Sequence, residues 1–493
     1  MGSSAQLQDL LFHGESDASA RDFRALSACI LCLLYLAGLA HWYAFLNYGL
    51  INFNLMDWTP HYWFYVPLQE AVRTLRFPYY TSHPIWGDFH GLLTYPIASI
   101  SPQILLLRFL SINAYMVVNV LFFYTLGFTG CLLIKRKYRL SLFVFAILFL
   151  VVNYNGHVLS HLAVGHPEWV TFFLLPAIFY LILDWGGKGY SRRHALLSAM
   201  VLFFMFLNGG LHFFAQSLLF LFFYVLFQMK WQALRFFAVA AGMAIFLSAV
   251  RILPAAPFYH SLDAGFCLGY ETPLSIVEAM TAMRDFNYAQ KGWQTLGQMN
   301  FVGCWWEYNI YITFIGFLFL AYFGIYLRLR SRRPSDMPVF REWDWPMLAM
   351  TVLALGHGYL IVRNLGIPFL SNLERVPSRF LIFPVLMLTI IACVRFQYFL
   401  SRDLVGPRGK MGAVLALVYA ACLLKLHASK WQLSRWPKEL ATGDITLRPV
   451  LVEMHNALYE HAVTVGLAAT GIALVLWVYL FWKNKDLDLW TGK

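Results

Sequence analysis

Charge is scarce in this sequence, so ionisable side chains that fall together stand out. The stretch 55–93, LMDWTPHYWFYVPLQEAVRTLRFPYYTSHPIWGDFHGLL, carries three acids, Asp57, Glu70 and Asp88. A carboxylate can take a proton from a hydroxyl, but at its ordinary pKa it is a weak base. Asp57 would therefore need partial burial, against Trp58, His61 and a membrane, to work near neutral pH. A second group lies in NGHVLSHLAVGHPEW, which holds His157, His161, His166 and Glu168. Either these rings serve an ordinary membrane interface, or they form a polar working surface. The third group is basic: Arg379 in Pro377-Ser378-Arg379-Phe380, with Arg251 and Arg375 in second rank. Arg379 leads into an apolar segment, where insertion costs on the order of 3 kcal/mol, so it needs an anion. A phosphate gripped by two parallel hydrogen bonds satisfies that need, and so does an ion pair with Glu374 or another acid.

The elements that must position these groups follow from composition. The chain has 493 residues, 60% hydrophobic and 13% charged, with a mean hydropathy of +0.59. No water-soluble domain of this size carries such a balance, so the fold class is all-α and polytopic in a membrane. A span needs about 20 apolar residues to cross a hydrocarbon layer roughly 30 Å thick, which gives about 12 transmembrane helices. They are expected at 25–45, 104–134, 140–154, 167–183, 195–207, 213–227, 236–253, 308–327, 346–361, 380–394, 413–424 and 463–482. The polar stretch 1–24 reads as a cytosolic tail before an uncleaved first span.

Lys and Arg gather in the short connections at 135–139, 188–193, 328–333, 402–410 and 483–485, which marks that side as cytoplasmic, together with both termini. The net charge of +12 is then a matter of topology, and neither an acidic partner nor nucleic acid is implied. The long loops, 46–103, 254–307 and 425–462, fall on the outer face. All but His13 and His194 of the 15 histidines lie in those loops or within spans, mostly toward that face. In the first loop, Trp63, Phe64, Pro67, Leu68, Ala71, Val72 and Leu75 recur at helical spacing. They predict an interfacial amphipathic helix with Thr59 as N-cap, Pro60 at its first position and Glu70 paired to Arg73. Asp57 precedes that helix, where the dipole favours the ionised form. Seven cysteines show no metal spacing; only Cys267 and Cys304 share an outer loop, where they would pair if that loop meets an oxidising compartment.

Several stretches, in order, resemble the GT-C superfamily of integral-membrane glycosyltransferases, and within it the bacterial YfhO-like group. They are MDWTPHYWFYVPLQEAVRTLRFPYY with IWGDFHGLLTYP, NGHVLSHLAVGHPEWVTFFLLPAIFYLILD, NGGLHFFAQSLLFLFFY, SAVRILPAAPFYHSL and LERVPSRFLIFPVL. The sequence departs from the pattern at Gly87-Asp88-Phe89-His90, where Gly-Gly-x-Pro is expected, and NGGLHFF lacks a Pro-Gln. The resemblance implies a catalytic membrane module over 25–395 followed by further membrane helices over 396–493. It implies transfer of a sugar, with inversion, from a polyprenyl-phosphate carrier to a lipid or cell-surface glycan or protein acceptor, on the non-cytoplasmic face of a bacterial inner membrane. Asp57 would be the general base. Arg379, Arg375 and Arg251 would meet the phosphate, and Asp88, His90, His161, His166 and Glu168 would line the site. No cofactor is required outright, although some such enzymes use a divalent metal ion. The alternatives are a transporter or flippase for a lipid-linked or polar substrate, and a non-catalytic partner in envelope-polymer assembly.

Overall fold

The computed structural model describes residues 11–13, 21–84, 87–89, 93, 97–188, 191–256, 266–267, 269–285, 295–296, 305–330, 338, 340–366, 373–435 and 443–483. Among them, eight helices are long and apolar enough to cross a membrane. A ninth crossing arises if Trp231–Leu247 and Ala249–Ala255, bent by 67°, form one broken span. Three of the expected spans take other forms, the first being 167–183, a shorter apolar helix, Pro167–Leu183. Segment 195–207 falls in a 16-residue helix, Arg192–Leu207, and 346–361 is a pair, Asp344–Ala354 and Gly356–Asn364, broken at Leu355. The expected 140–154 helix runs on after a break at Asn155, so that Leu142–Val164 makes one 23-residue candidate span.

The chain divides into two compact units. The first comprises Met1–Phe45, Tyr124–Ser160 and Gly265–Arg435. Its centre is the segment Pro377–Ser401, 94% of whose apolar window is buried, whereas the figure is 22% for Arg24–Phe45 and 17% for Pro407–Trp431. Helices this apolar and this uncovered need lipid around them, because such a surface is not stable in water. The five cysteines at 29, 32, 131, 393 and 422 are free thiols; the proposed Cys267–Cys304 pairing lies outside the described residues.

The second unit comprises Leu46–Phe123, His161–Ala264 and Trp436–Lys493. In it, Ala457–Lys483 packs on the bent pair: Thr470 Oγ1 donates to Leu247 O (2.8 Å) and accepts from Val250 N (3.0 Å). Those bonds satisfy backbone groups freed at the bend. A three-stranded sheet adds a small β element that helical periodicity did not reveal. Thr81–His83 pairs antiparallel with Gly87–Phe89 on one side and Val450–Leu451 on the other, tying the stretch after Trp58–Thr74 to the one before Ala457–Lys483.

The helix expected after Asp57 is present as Trp58–Thr74, and much of it is buried in protein. Trp58, His61, Trp63, Phe64, Tyr65, Leu68 and Ala71 are all buried. Leu75 does not join the buried face: it is 80% exposed and stands at the C-cap with a left-handed φ of 57°. Thr59 is not the N-cap either. Asp57 holds that position, and Thr59 Oγ1 instead donates to Phe53 O at 2.7 Å. Glu70 makes no ion pair with Arg73 among the described residues; both face outward.

Candidate active site

Asp57 is reached through a tight turn. Met56 adopts φ 43°, an uncommon conformation for a non-glycine residue, and this delivers the chain into the helix start. Two backbone clamps then fix the position. Asp57 N–H donates to Val164 O (3.0 Å), and Trp58 Nε1–H donates to Ala163 O (3.2 Å). The Asp57 carboxylate makes no cap bond to its own helix. It turns instead to His166, whose Nε2 lies 2.7 Å from Asp57 Oδ2. Half of the Asp57 side chain, 52%, is exposed, against 11% for His166. One oxygen of the acid is therefore held by protein while half of the side chain stays exposed.

Behind His166 stands His161, with the two Nδ1 atoms 2.8 Å apart. His161 is fully buried and stacks on Trp169, ring centroids 4.0 Å apart and planes 20° apart. Trp169 continues the stack to His212 and Phe213. The spacing has a local cause. The helix Gly156–Val164 ends, Gly165 turns the chain, and the 3₁₀ segment Pro167–Leu174 begins. His166 N–H donates back to His161 O at 3.1 Å, which closes the turn and places the two rings side by side.

Gly165 is required at that corner. Its φ is +101°, and a Cβ there would run into Trp58 N and the Asp57 carbonyl carbon. Gly165→Ala is expected to destabilise the protein by about 1–3 kcal/mol and to displace Asp57. The comparison is Gly366→Ala, where φ is also positive, +63°, but no heavy atom lies within 4 Å. Thermal unfolding of the two variants should show the larger loss at Gly165; equal losses would mean that the packing against Asp57 is irrelevant.

Glu168 points to a histidine that the sequence reading left in the background. His61, one helical turn past Asp57, brings Nε2 to 3.4 Å from Glu168 Oε2. That is ion-pair distance without hydrogen-bond geometry, and it leaves Glu168 Oε2 and His61 Nδ1 buried without a hydrogen-bond partner. Burial pushes the His61 imidazole below its usual range and nearby His166 pushes the same way, while Glu168 and Asp57 oppose them; burial is the largest influence. Burial likewise lowers His83. Unfolded histidine takes up a proton around pH 6.5, whereas these folded ones resist it. The native state thus binds fewer protons in that window, and stability present above pH 6.5 is lost as the pH falls below it. The melting temperature should drop between about pH 7 and about pH 5, with a shallower slope in His61→Phe; identical slopes would contradict this.

The remaining expected residues divide. Arg379 is buried and engaged by acids in the first unit. Its Nε and Nη2 each lie 2.8 Å from the two oxygens of Glu307, and Nη1 lies 3.2 Å from Glu374 Oε1. Of the two partners the sequence left open, phosphate and acid, the geometry is that of the ion pair. Arg251 is buried too, donating from Nε to Leu93 O (3.1 Å) and from Nη1 to Ile97 O (2.6 Å). Arg375 is exposed. Asp88 lies in the strand opposite Ser82; its side chain, and His90 altogether, lie outside the described residues. Asp57, His166, His161, Glu168 and His61 thus share the second unit.

Among the described residues, no group of three His, Cys, Asp or Glu side chains is placed to hold a metal ion, and His166 and His161 direct their Nδ1 atoms at each other.

No protein-family model matches the chain, and no curated protein matches it. Among solved structures, the fold is similar to that of the arabinofuranosyltransferase AftD from Mycobacteria. The TM-score is 0.47 at 15% identity, over 87% of this chain and 28% of that one.

Proposed function

We propose that this chain is a membrane glycosyltransferase of GT-C type. It would move a sugar from a polyprenyl-phosphate carrier to an acceptor hydroxyl at the non-cytoplasmic face of a bacterial inner membrane. The basic short connections, read as cytoplasmic together with the N-terminus, would put Asp57, which follows the first span, on that face. The observation that carries the reading is the state of Asp57: a half-exposed carboxylate with one oxygen held by a buried histidine, at the start of an embedded helix following the first span. That is the disposition of a general base.

In the reaction, the acceptor oxygen attacks the anomeric carbon as its proton passes to Asp57. The bond from that carbon to the phosphate oxygen breaks, and the polyprenyl phosphate leaves with the electron pair. Attack opposite the leaving group inverts the configuration. The leaving phosphate needs a cation; of the three arginines considered for it, Arg251 and Arg379 are already committed inside the protein, and Arg375 is exposed.

The purified chain, reconstituted in lipid, should transfer sugar from one member of a panel of polyprenyl-phosphate pentoses and hexoses to a membrane acceptor. NMR of the product should show an inverted anomeric centre. A retained configuration would overturn the single-displacement chemistry. A second reading, a transporter, draws on the buried Arg379–Glu307–Glu374 cluster at the start of a span; carrier flipping by the reconstituted chain without sugar transfer would favour it.

A further inference from the structure

We infer that His166, backed by His161, is the positioning residue of the site: it holds Asp57 Oδ2 and so fixes how the carboxylate meets the acceptor hydroxyl. The inference rests on the reading of Asp57 as base and goes beyond it, because it assigns a task to two side chains that do not touch the substrate.

The two hydrogen bonds constrain one another. The His161 and His166 Nδ1 atoms are 2.8 Å apart, and only one proton fits between them. If His161 Nδ1 donates, His166 Nδ1 accepts, and a neutral His166 must carry its proton on Nε2. That proton points at Asp57 Oδ2, 2.7 Å away. His161 thus sets the tautomer of His166, and the tautomer sets the carboxylate. A ring flip of His166 would break both bonds, and a flip of His161 is opposed by its stack on Trp169.

This arrangement also makes the site pH-sensitive. A second proton on His166 places an imidazolium against Asp57, and a carboxylate paired with a cation is a poorer base. The groups that face His166 are Asp57, before the helix Trp58–Thr74; His61, on that helix; and His161, on Gly156–Val164; Glu168, on Pro167–Leu174, lies against His61. His212 lies beyond Trp169. The Asp57 carboxylate against Nε2 favours the imidazolium, and His61, when charged, opposes it.

The test uses the full chain in lipid nanodiscs with the polyprenyl-phosphate sugar that supports transfer. His166→Ala removes the contact. His166→Gln returns an N–H near the position of Nε2 but cannot bond to His161. His161→Phe keeps the stack on Trp169 and removes only the Nδ1 bond. The expected loss of kcat is about 10²-fold for His166→Ala with KM little changed, largely restored in His166→Gln, and smaller in His161→Phe. The acid limb of kcat/KM in the wild type should reflect a ring that can take up a proton against Asp57. It should move toward the carboxylate range in His166→Gln.

Wild-type kcat in His166→Ala would overturn the inference. So would His166→Gln no more active than His166→Ala, or an acid limb identical in wild type and His166→Gln. Unfolding of both His166 variants, seen as a collapse of the melting temperature, would assign the ring a purely structural role and overturn it as well. Inactive Asp57→Asn alongside fully active His166→Ala would sink only this inference; active Asp57→Asn would sink the reading beneath it.

Discussion

Asp57→Asn should leave the protein folded and lower kcat by about 10²–10⁴-fold, the contribution expected of a positioned base. The substitution is nearly isosteric, and Asn is as good an N-cap as Asp. The native carboxylate makes no cap bond that stability depends on. The Asn side-chain oxygen can still accept from His166, so the constellation around it should persist. What is lost is proton affinity alone, and the defect should therefore appear in kcat rather than in KM for the carrier. A variant with a normal melting temperature and normal turnover would remove Asp57 from the mechanism.

Arg379→Ala should act on a different quantity. The Arg379, Glu307 and Glu374 side chains are only 4%, 8% and 1% exposed. Glu374 Oε1 also accepts from the backbone N–H of Arg375 and Val376, and Ser378 donates to Glu307 O, so the cluster stitches several turns together. Removing the guanidinium leaves two buried carboxylates without their counter-charge. The cost is about 3–5 kcal/mol, which thermal unfolding should register as a large loss of stability. Arg379→Lys, with its charge but without the fork, should fall between. The rival outcome is equally definite: a stable Arg379→Ala that no longer binds the carrier would restore the phosphate-clamp reading.

Much of the architecture was legible because membrane burial writes itself into composition. Long apolar runs, basic turns and the helix after Asp57 can be read without contacts. Part of the site was legible for a related reason: His161, His166 and Glu168 lie in one short run, and the turn at Gly165 brings them together locally. His61 carried a signal, four residues after Asp57 and so one helical turn along, yet its partner Glu168 is more than a hundred positions away. The same distance problem decided Arg379. The sequence could show that a charge near a span needs an anion, but not that Glu307, 72 positions earlier, supplies it. Thr59 is expected at the N-cap because Pro60 favours the first helical position; the helix instead begins at Trp58, behind Asp57, and Thr59 bonds to Phe53. The short strands escaped because two- and three-residue pairings leave no periodicity.

The most direct test of the central claim is chemical rescue at Asp57. Transfer from the polyprenyl-phosphate donor is measured for wild type and Asp57→Ala across a formate series at constant ionic strength. Asp57→Ala opens a gap at the half-exposed carboxylate, and formate supplies a free base of the same type. The account expects Asp57→Ala to be nearly inactive alone and to regain transfer in proportion to formate, with no gain in wild type. Wild-type transfer by Asp57→Ala, indifferent to formate, would contradict it.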